Sequence, residues 1–422
     1  TLRERTRYEI ANSSYAKGIQ LTISNDIVGT GPRLQLLDQG NLVSKESLRF
    51  IELEYRKWSK AVGLAEKLRT VVYAEIEDGE SFAKKFTNPK LKSRVKLDLS
   101  LVEADQISSP YTAKTLTVEV DGIDYDEYRN PTFYHLLKDH PGSLFNMGGF
   151  DSDMIPANQM MHLFRVDRPG QSRGIPWLTP ALEQFAKLRR YSKAVIEAAE
   201  TAANFAAVIQ SKMPANGEAA EVDAMEVFEI EPNMITTMPE GWEMGQFKAE
   251  QPTTSYVEFV NKQLNEIARC LNIPFNIAAG NSSGYNYASG RLDHQVYFKE
   301  LDIHRSRMVD VILDELFEDW LYEALLIPNY IPEDFKLMNS GTPHQWFWDG
   351  MSHVDPQKEA TAQQKKLESN TTTLAAEYAK QGMDWEEQLR QRGRELELQR
   401  ELGIAPLGTE AEIIVEIEDP EE

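Results

Sequence analysis

Hydrophobic positions along this 422-residue chain change their period several times. Through residue 65 the pattern is helical, and Ile51, Tyr55, Trp58 and Val62 fall on one stripe within 47–62. From Lys92 the period drops to two. Val95, Leu97, Leu99 and Leu101 alternate with polar residues, as in a half-buried strand. TLTVEV at 115–120 and PTFYHLL at 131–137 continue the β pattern, with Asp121-Gly122 as the turn between them. This α/β or α+β portion ends near Pro176.

After Pro180 the pattern predicts a helix of about 32 residues, roughly 48 Å at 1.5 Å per residue. Its second half, KAVIEAAETAANFAAVI, carries alanine on several faces. Helix propensity alone accounts for that, but it also lets neighbouring helices approach from more than one side. Pro214, Asn216, Gly217, Pro232, Pro239, Gly241 and Pro252 break 213–252 into a small strand-and-loop subdomain. Helix resumes at Ser255, where Ser255 and Glu258 form a capping box. Val260, Leu264, Ile267, Ala268 and Leu271 mark its apolar face.

Ile273-Pro274 stops that helix, and a Gly/Ser/Asn-rich loop, GNSSGYNYASGR at 280–291, follows. The next helix is expected from about Gly290 to Leu326, in two unlike halves. The first is polar, with Arg291, Asp293, His294, Lys299, Asp302, His304, Arg305 and Arg307. The second carries a broad core stripe of Val309, Ile312, Leu313, Leu316, Phe317, Trp320, Leu321 and Ala324. Such a helix emerges from a core into a solvated space. HQWFWDG at 344–350 reads as an edge strand, and Asp355 caps a helix with Pro356 at its first position. Two further helices run from Thr373 to Gly382 and from Asp384 to Gly403. All three are charged and thin in large apolar residues, so they are expected to need partners. The tail from Glu410 to Glu422 holds seven acids and reads as disordered.

Charge narrows the function. Asp and Glu number 67 against 45 Lys and Arg, a net charge of −22. Proteins that grip nucleic acid need basic patches, because phosphate contacts supply much of the affinity. This chain has the wrong sign for gripping, although handling DNA without holding it stays open. Arg3, Arg5, Arg7 and Lys17 make the N-terminus a basic exception. The single cysteine, Cys270, rules out an intramolecular disulfide and a cysteine metal cluster. It is expected to be a buried, inert thiol. No run approaches the roughly 18 apolar residues of a membrane span, and the charged opening is unlike a signal peptide. A cytoplasmic protein, or one assembled from the cytoplasm, is the expectation. A first residue other than Met points to a trimmed or partial chain.

Catalytic motifs are scarce. No G-x-x-x-x-G-K-[ST] occurs, so no phosphate-cradling ATPase loop is expected. The seven histidines form no i,i+4 pair around a glutamate, and no metal site is expected. Gly280-Asn281-Ser282-Ser283-Gly284 fits G-x-S-x-G, but the nucleophile elbow needs a strand entering and a helix leaving. Here a helix enters and the loop continues through Tyr285, Asn286 and Tyr287.

Several segments in order carry a resemblance to a known family. They are LRERTRYEIANSSYAKGIQLTISNDIVGTGPRLQ at 2–35, VEADQI at 102–107, GIDYDEY at 122–128 and RPGQSRGIPWLTPAL at 168–182. PEGWEMGQF at 239–247, IARCLNIPFNIAAGNSSGYNYASGR at 267–291 and WFWDGMSHVDPQKEATA at 346–362 follow. Together they resemble the portal proteins of lambda-type tailed phages over nearly the whole chain, and RPGQSRGIPWLTPAL is the most specific. Two departures stand out: the family's further segment before the arginine-rich start is absent, and the acidic tail is not a family motif.

The resemblance implies an α+β portal fold with a mixed α/β wing (1–179), a long stem helix (180–212) and a small β-containing clip (213–252). A second stem helix (253–275), a tunnel loop (276–290) and a long helix returning to the wing (291–342) come next. A helical crown (343–404) and the acidic tail (405–422) complete it. VEADQI and GIDYDEY are wing strands on this reading.

It further implies a homo-oligomeric ring, typically of twelve, at one capsid vertex, through which double-stranded DNA passes without sequence preference. No catalytic residue, cofactor or metal is implied, because the terminase packaging motor supplies the ATPase. Other partners are the major capsid and scaffolding proteins and the head-completion and tail adaptor proteins. The location is the virion, after assembly in the host cytoplasm. Asn281, Ser282, Ser283, Gly284, Tyr285, Asn286 and Tyr287 are the expected tunnel-loop residues. Arg291, Lys299, Arg305 and Arg307 are expected to meet phosphate or, preferentially, acids of a neighbouring subunit. The alternatives are another phage structural or adaptor ring and a serine hydrolase using Ser282.

Overall fold

The computed structural model describes residues 2–37, 43–109, 118–142, 151–204, 208–211, 242–245, 255–284, 287–335, 342–350, 356–381, 383 and 385–404. The chain divides into two compact units. One takes Thr1–Thr22, Glu75–Gly79 and Gly174–Glu300, and the other takes Ile23–Ala74, Glu80–Arg173 and Leu301–Glu422.

The helical opening contains α1 (Leu2–Asn12), α2 (Ser14–Val28), a short strand β1 (Arg33–Leu36), α3 (Lys45–Val62) and α4 (Leu64–Asp78). Helix α3 starts where the Ser44 side chain accepts from Ser47 N and stops at Gly63, whose φ of 66° is the left-handed cap conformation. Its stripe of Ile51, Tyr55, Trp58 and Val62 is buried as the spacing predicts.

Seven antiparallel strands follow: β2 (Glu80–Thr87), β3 (Leu97–Val102), β4 (Val118–Val120), β5 (Ile123–Tyr125), β6 (Pro131–Leu137), β7 (Ser152–Pro156) and β8 (Met160–Phe164). They form one sheet in the order β3-β2-β8 and another in the order β4-β5-β6-β7. Phe82, Val102, Ile123, Tyr134, Ile155 and Met160 from the two sheets close into one buried cluster. PTFYHLL is a strand over its full expected length, and Asp121-Gly122 makes the β4–β5 turn with φ of 49° and 83°. VEADQI departs from expectation. Val102 ends β3, Ala104–Gln106 is a 3-10 turn capped by Glu103, and Ile107 makes an isolated bridge to Leu136. The reciprocal bonds of Glu103 and Gln106 tighten the backbone into that turn, which alternation of apolar residues does not register.

In the unit that also holds α1, α5 (Leu182–Asn204) is 23 residues long, shorter than the expected 32. Val208–Ser211 is instead a strand, β9, paired antiparallel with β10 (Trp242–Gly245). Alanine content favours helix locally, but a partner strand some thirty residues away captures the backbone hydrogen bonds of the segment. The remainder of the expected clip, 213–241 and 246–252, lies outside the described residues. Helix α6 (Ser255–Cys270) buries Val260, Leu264, Ile267 and Ala268, and its first turn packs on α5 through Tyr191, stacked 5.6 Å from Tyr256. Cys270 is half-buried rather than fully buried, with Sγ 3.6 Å from Trp177 O.

After the short α7 (Phe275–Ala279) comes α8 (Tyr287–Met308), joined by a π-helical turn at Val309–Leu313 to α9 (Asp314–Leu326). β11 (His344–Phe347) pairs antiparallel with β1, so residues 33–36 and 344–347 form one ribbon. An aromatic core joins these pieces: the Tyr55 ring lies 5.2–5.7 Å from those of Trp58, Phe317, Trp320 and Trp346. The buried Lys85 of β2 reaches Glu315 at 2.6 Å and Asp319 at 2.5 Å on α9. The C-terminal helices are α10 (Pro356–Glu368), α11 (Leu374–Lys380) and α12 (Trp385–Glu401). No residue of α12 is buried, in line with its sparse apolar content. The acidic tail lies outside the described residues.

Candidate functional site

The Gly/Ser/Asn-rich loop is framed by helix ends. Just past the end of α6, Asn272 takes φ 55° and lets Ile273 N donate back to Ala268 O. Pro274 opens α7, and Gly280 closes it at φ 62°, with the N–H groups of both Gly280 and Asn281 donating to Asn276 O. Asn281 Oδ1 then accepts from Ser283 N at 2.8 Å, a side-chain-closed turn. Residues 281–284 are exposed, and a Cβ added at Gly280 or Gly284 would meet nothing within 4 Å. The described half of the loop therefore projects into open space.

The loop is shorter than expected. Residues 276–279 and 287–290 are helical, because the Pro274 carbonyl accepts from Ile277 N and Ala278 N to start α7, and α8 begins three residues earlier than its polar sequence suggests. Tyr285, Asn286 and the Tyr287 side chain lie outside the described residues. No nucleophile elbow forms. A helix ending in a left-handed glycine leads into Ser282, whose hydroxyl lies 3.5 Å from the Asn276 amide. Among the described residues no cluster of three or more potential metal ligands occurs.

The four cations of the next helix separate. Arg291 and Lys299 are exposed and Arg307 is half-buried. Arg305 is not on that surface. It is buried, with Nε donating to Ile27 O at 2.9 Å and Nη2 to Asp26 O at 2.8 Å. Its fork thus closes the C-terminal carbonyls of α2, which have no partners within the helix. Trp348 lies beneath the guanidinium at 5.4 Å.

That joint unites segments far apart in the chain. The Asp349 carboxylate accepts from Thr30 N, from Thr30 Oγ1 at 2.8 Å and from Arg33 at 3.0 Å. Gly29, at φ 55°, leaves the room that this carboxylate occupies, since a Cβ there would overlap it. IVGTG and WFWDG are thus two halves of one junction. Nothing local in either segment indicated the other as its partner.

A second junction lies in the specific RPGQSRGIP segment. Arg173 holds the fully buried Glu80 at 2.7 Å and donates to the carbonyls of Ala104, Ile107 and Asp121. His162 Nε2 lies 2.9 Å from Glu80 Oε2, its ring stacked 4.2 Å from Phe82. Burial opposes ionisation of Glu80, but the hydrogen bonds from His162 and Arg173 and the guanidinium charge outweigh it, holding the carboxyl down at about 2. The basic N-terminus is likewise engaged. Arg7 forks onto Asp78 at 2.7 and 2.8 Å, and Arg3 reaches Asp78 O at the end of α4.

Comparison with known proteins places these features in a family. The family model described as phage portal protein, lambda family, matches residues 1–305. A "Probable portal protein" of Halomonas phage phiHAP-1 is 24% identical, covering 96% of this chain and 81% of its own. "Portal protein B" of Escherichia phage lambda is 20% identical over 78% of this chain and 68% of its own. Among solved structures, a chain from the virion of a native gene transfer agent particle aligns with a TM-score of 0.51 and 11% identity, covering 90% of this chain and 93% of that one. A chain from the neck of an empty gene transfer agent particle, computed with C6 symmetry, aligns with a TM-score of 0.52, 13% identity and the same coverages. The structural likeness carries the fold. The family match, running from the arginine-rich helix through the loop to Arg305, establishes that this chain belongs to the lambda family of phage portal proteins.

Proposed function

We propose that copies of this chain assemble as a ring at one capsid vertex, through which DNA enters during packaging and leaves during ejection. Family membership supports this reading, and the C6 symmetry of the related neck is carried over as rotational assembly of this chain. The observation that carries the DNA-channel role is the loop 281–284. It is exposed, built of small polar residues, and has open space where a Cβ would stand at Gly280 and Gly284.

Asn281, Ser282, Ser283 and Asn286 offer weak, replaceable hydrogen bonds, and the glycines let each copy of the loop shift independently. A ring multiplies the charge of −22 by its subunit number. An acidic channel repels phosphate and avoids the salt-sensitive affinity of a basic one, so DNA slides. Exposed Arg291 and Lys299 pair with acids of a neighbouring copy in preference to phosphate. The terminase motor supplies the ATPase, and this chain supplies no catalysis. Terminase docks first, and head-completion and tail proteins replace it. In this scheme 1–179 is mainly wing, α5 and α6 are stem, 213–252 is clip and 343–404 is crown.

Ser282→Trp combined with Ser283→Trp tests the loop in a phage carrying the altered gene. Rings of normal size by electron microscopy with at least a roughly tenfold fall in packaged DNA are expected. Normal packaging overturns the loop's role, and purified wild-type protein that stays monomeric under all assembly conditions overturns the ring.

A further inference from the structure

The described half of the loop is tied to the fold through one residue. Asn276 O accepts the Gly280 and Asn281 N–H groups, which set the direction in which the chain leaves α7. The Asn276 carboxamide nitrogen also lies 3.2 Å from His294 Nε2 on α8 and 3.5 Å from Ser282 Oγ in the loop. The carboxamide and the imidazole of His294 thus share a side-chain hydrogen bond. The rings of Phe298 and Tyr297, 5.7 and 6.4 Å away, hold the imidazole in place.

Packing alone does not account for an asparagine here. Its Oδ1 is shielded from solvent with no hydrogen-bond partner among the described residues, an arrangement an apolar side chain of similar size would avoid. What the amide adds is its reach to two elements at once. The residues beyond it, 281–284, are exposed, so these contacts are what hold the described half of the loop to the helices.

We propose that Asn276 and His294 are positioning residues for the loop: their hydrogen bond ties its first half to α8 and sets how far it reaches. The significance for DNA rests on the channel reading above, whereas the tether is tested independently of it.

The test is hydrogen exchange read by mass spectrometry on the full chain, following the amides of Asn281 and Ser283. Asn276→Ala and His294→Ala are each expected to speed their exchange by about tenfold, with α5 and α6 unaffected. The double variant is expected to be no faster than Asn276→Ala alone, because that change already removes the bond to His294. His294→Gln, whose amide oxygen sits near the place of Nε2, is expected to restore slow exchange; this keeps the test valid if an alanine variant folds poorly. Unchanged exchange in both single variants, additive acceleration in the double one, or no restoration by glutamine overturns the proposal. Packaged DNA is measured for the same variants. Faster exchange with normal packaging upholds the tether and removes the loop's DNA role. Unchanged exchange with impaired packaging removes the tether and leaves that role standing.

Discussion

Arg305 sits with its guanidinium 5.4 Å from the centre of the Trp348 ring while its fork closes the last carbonyls of α2. Lysine would keep the charge but not the planar, two-directional donor set. Arg305→Lys is therefore expected to lose about 2 kcal/mol, and Arg305→Ala more, since buried carbonyls are then left unmatched. Urea unfolding of the two variants checks the order. Equal, negligible losses would mean that the stacking and capping contribute nothing.

Glu80 gives a pH signature. Its folded carboxyl is held at about 2 against an ordinary 4.5, so its contribution to stability is fully present above 4.5. That contribution is lost as pH falls from 4.5 through 2, and it amounts to roughly 3 kcal/mol at about 1.4 kcal/mol per pH unit. Glu80→Gln should be destabilised most at neutral pH, with the deficit against wild type shrinking at pH 4 and 3. A deficit that stays constant from pH 7 to pH 3 would contradict the ionised assignment.

Two glycines separate space from backbone strain. Gly63 has φ 66° with nothing near a would-be Cβ, whereas Gly79 has φ 92° and a Cβ there would overlap the backbone of Ile175 and Pro176. Gly63→Ala is expected to cost about 1–2 kcal/mol, the left-handed penalty alone. Gly79→Ala is expected to cost more than about 3 kcal/mol or to prevent soluble expression, because neither backbone can yield. Thermal melts of both variants measure the difference.

Trp320 is fully buried against Tyr55 and Phe317, while Tyr322, two residues on, is 68% exposed. Trp320→Ala is expected to cost about 3–5 kcal/mol through the cavity it leaves. Tyr322→Ala is expected to change the unassembled chain by less than about 0.5 kcal/mol. Comparable losses at the two sites would overturn this reading of the core.

The sequence by itself determined whatever a few neighbouring residues decide. The stripe of Ile51, Tyr55, Trp58 and Val62 marks one helix face, PTFYHLL alternates as a strand, and Asp121-Gly122 turns the chain between strands. Periodicity and turn chemistry act over a handful of residues, so these survived folding unchanged. The family was legible for a similar reason, since its motifs lie in order along the chain.

Tertiary structure alone decided where remote partners compete with local preference. Val208–Ser211 left an expected helix because Trp242–Gly245 pairs with it, and Ala104–Gln106 tightened into a turn within an expected strand. Arg305 read as a surface cation, yet its partners are the carbonyls of Asp26 and Ile27, more than 270 residues away along the chain. The Asn276–His294 contact across the loop was equally invisible. A hydrogen bond depends on distance in space, and sequence spacing carries no record of that distance once the chain has turned back on itself.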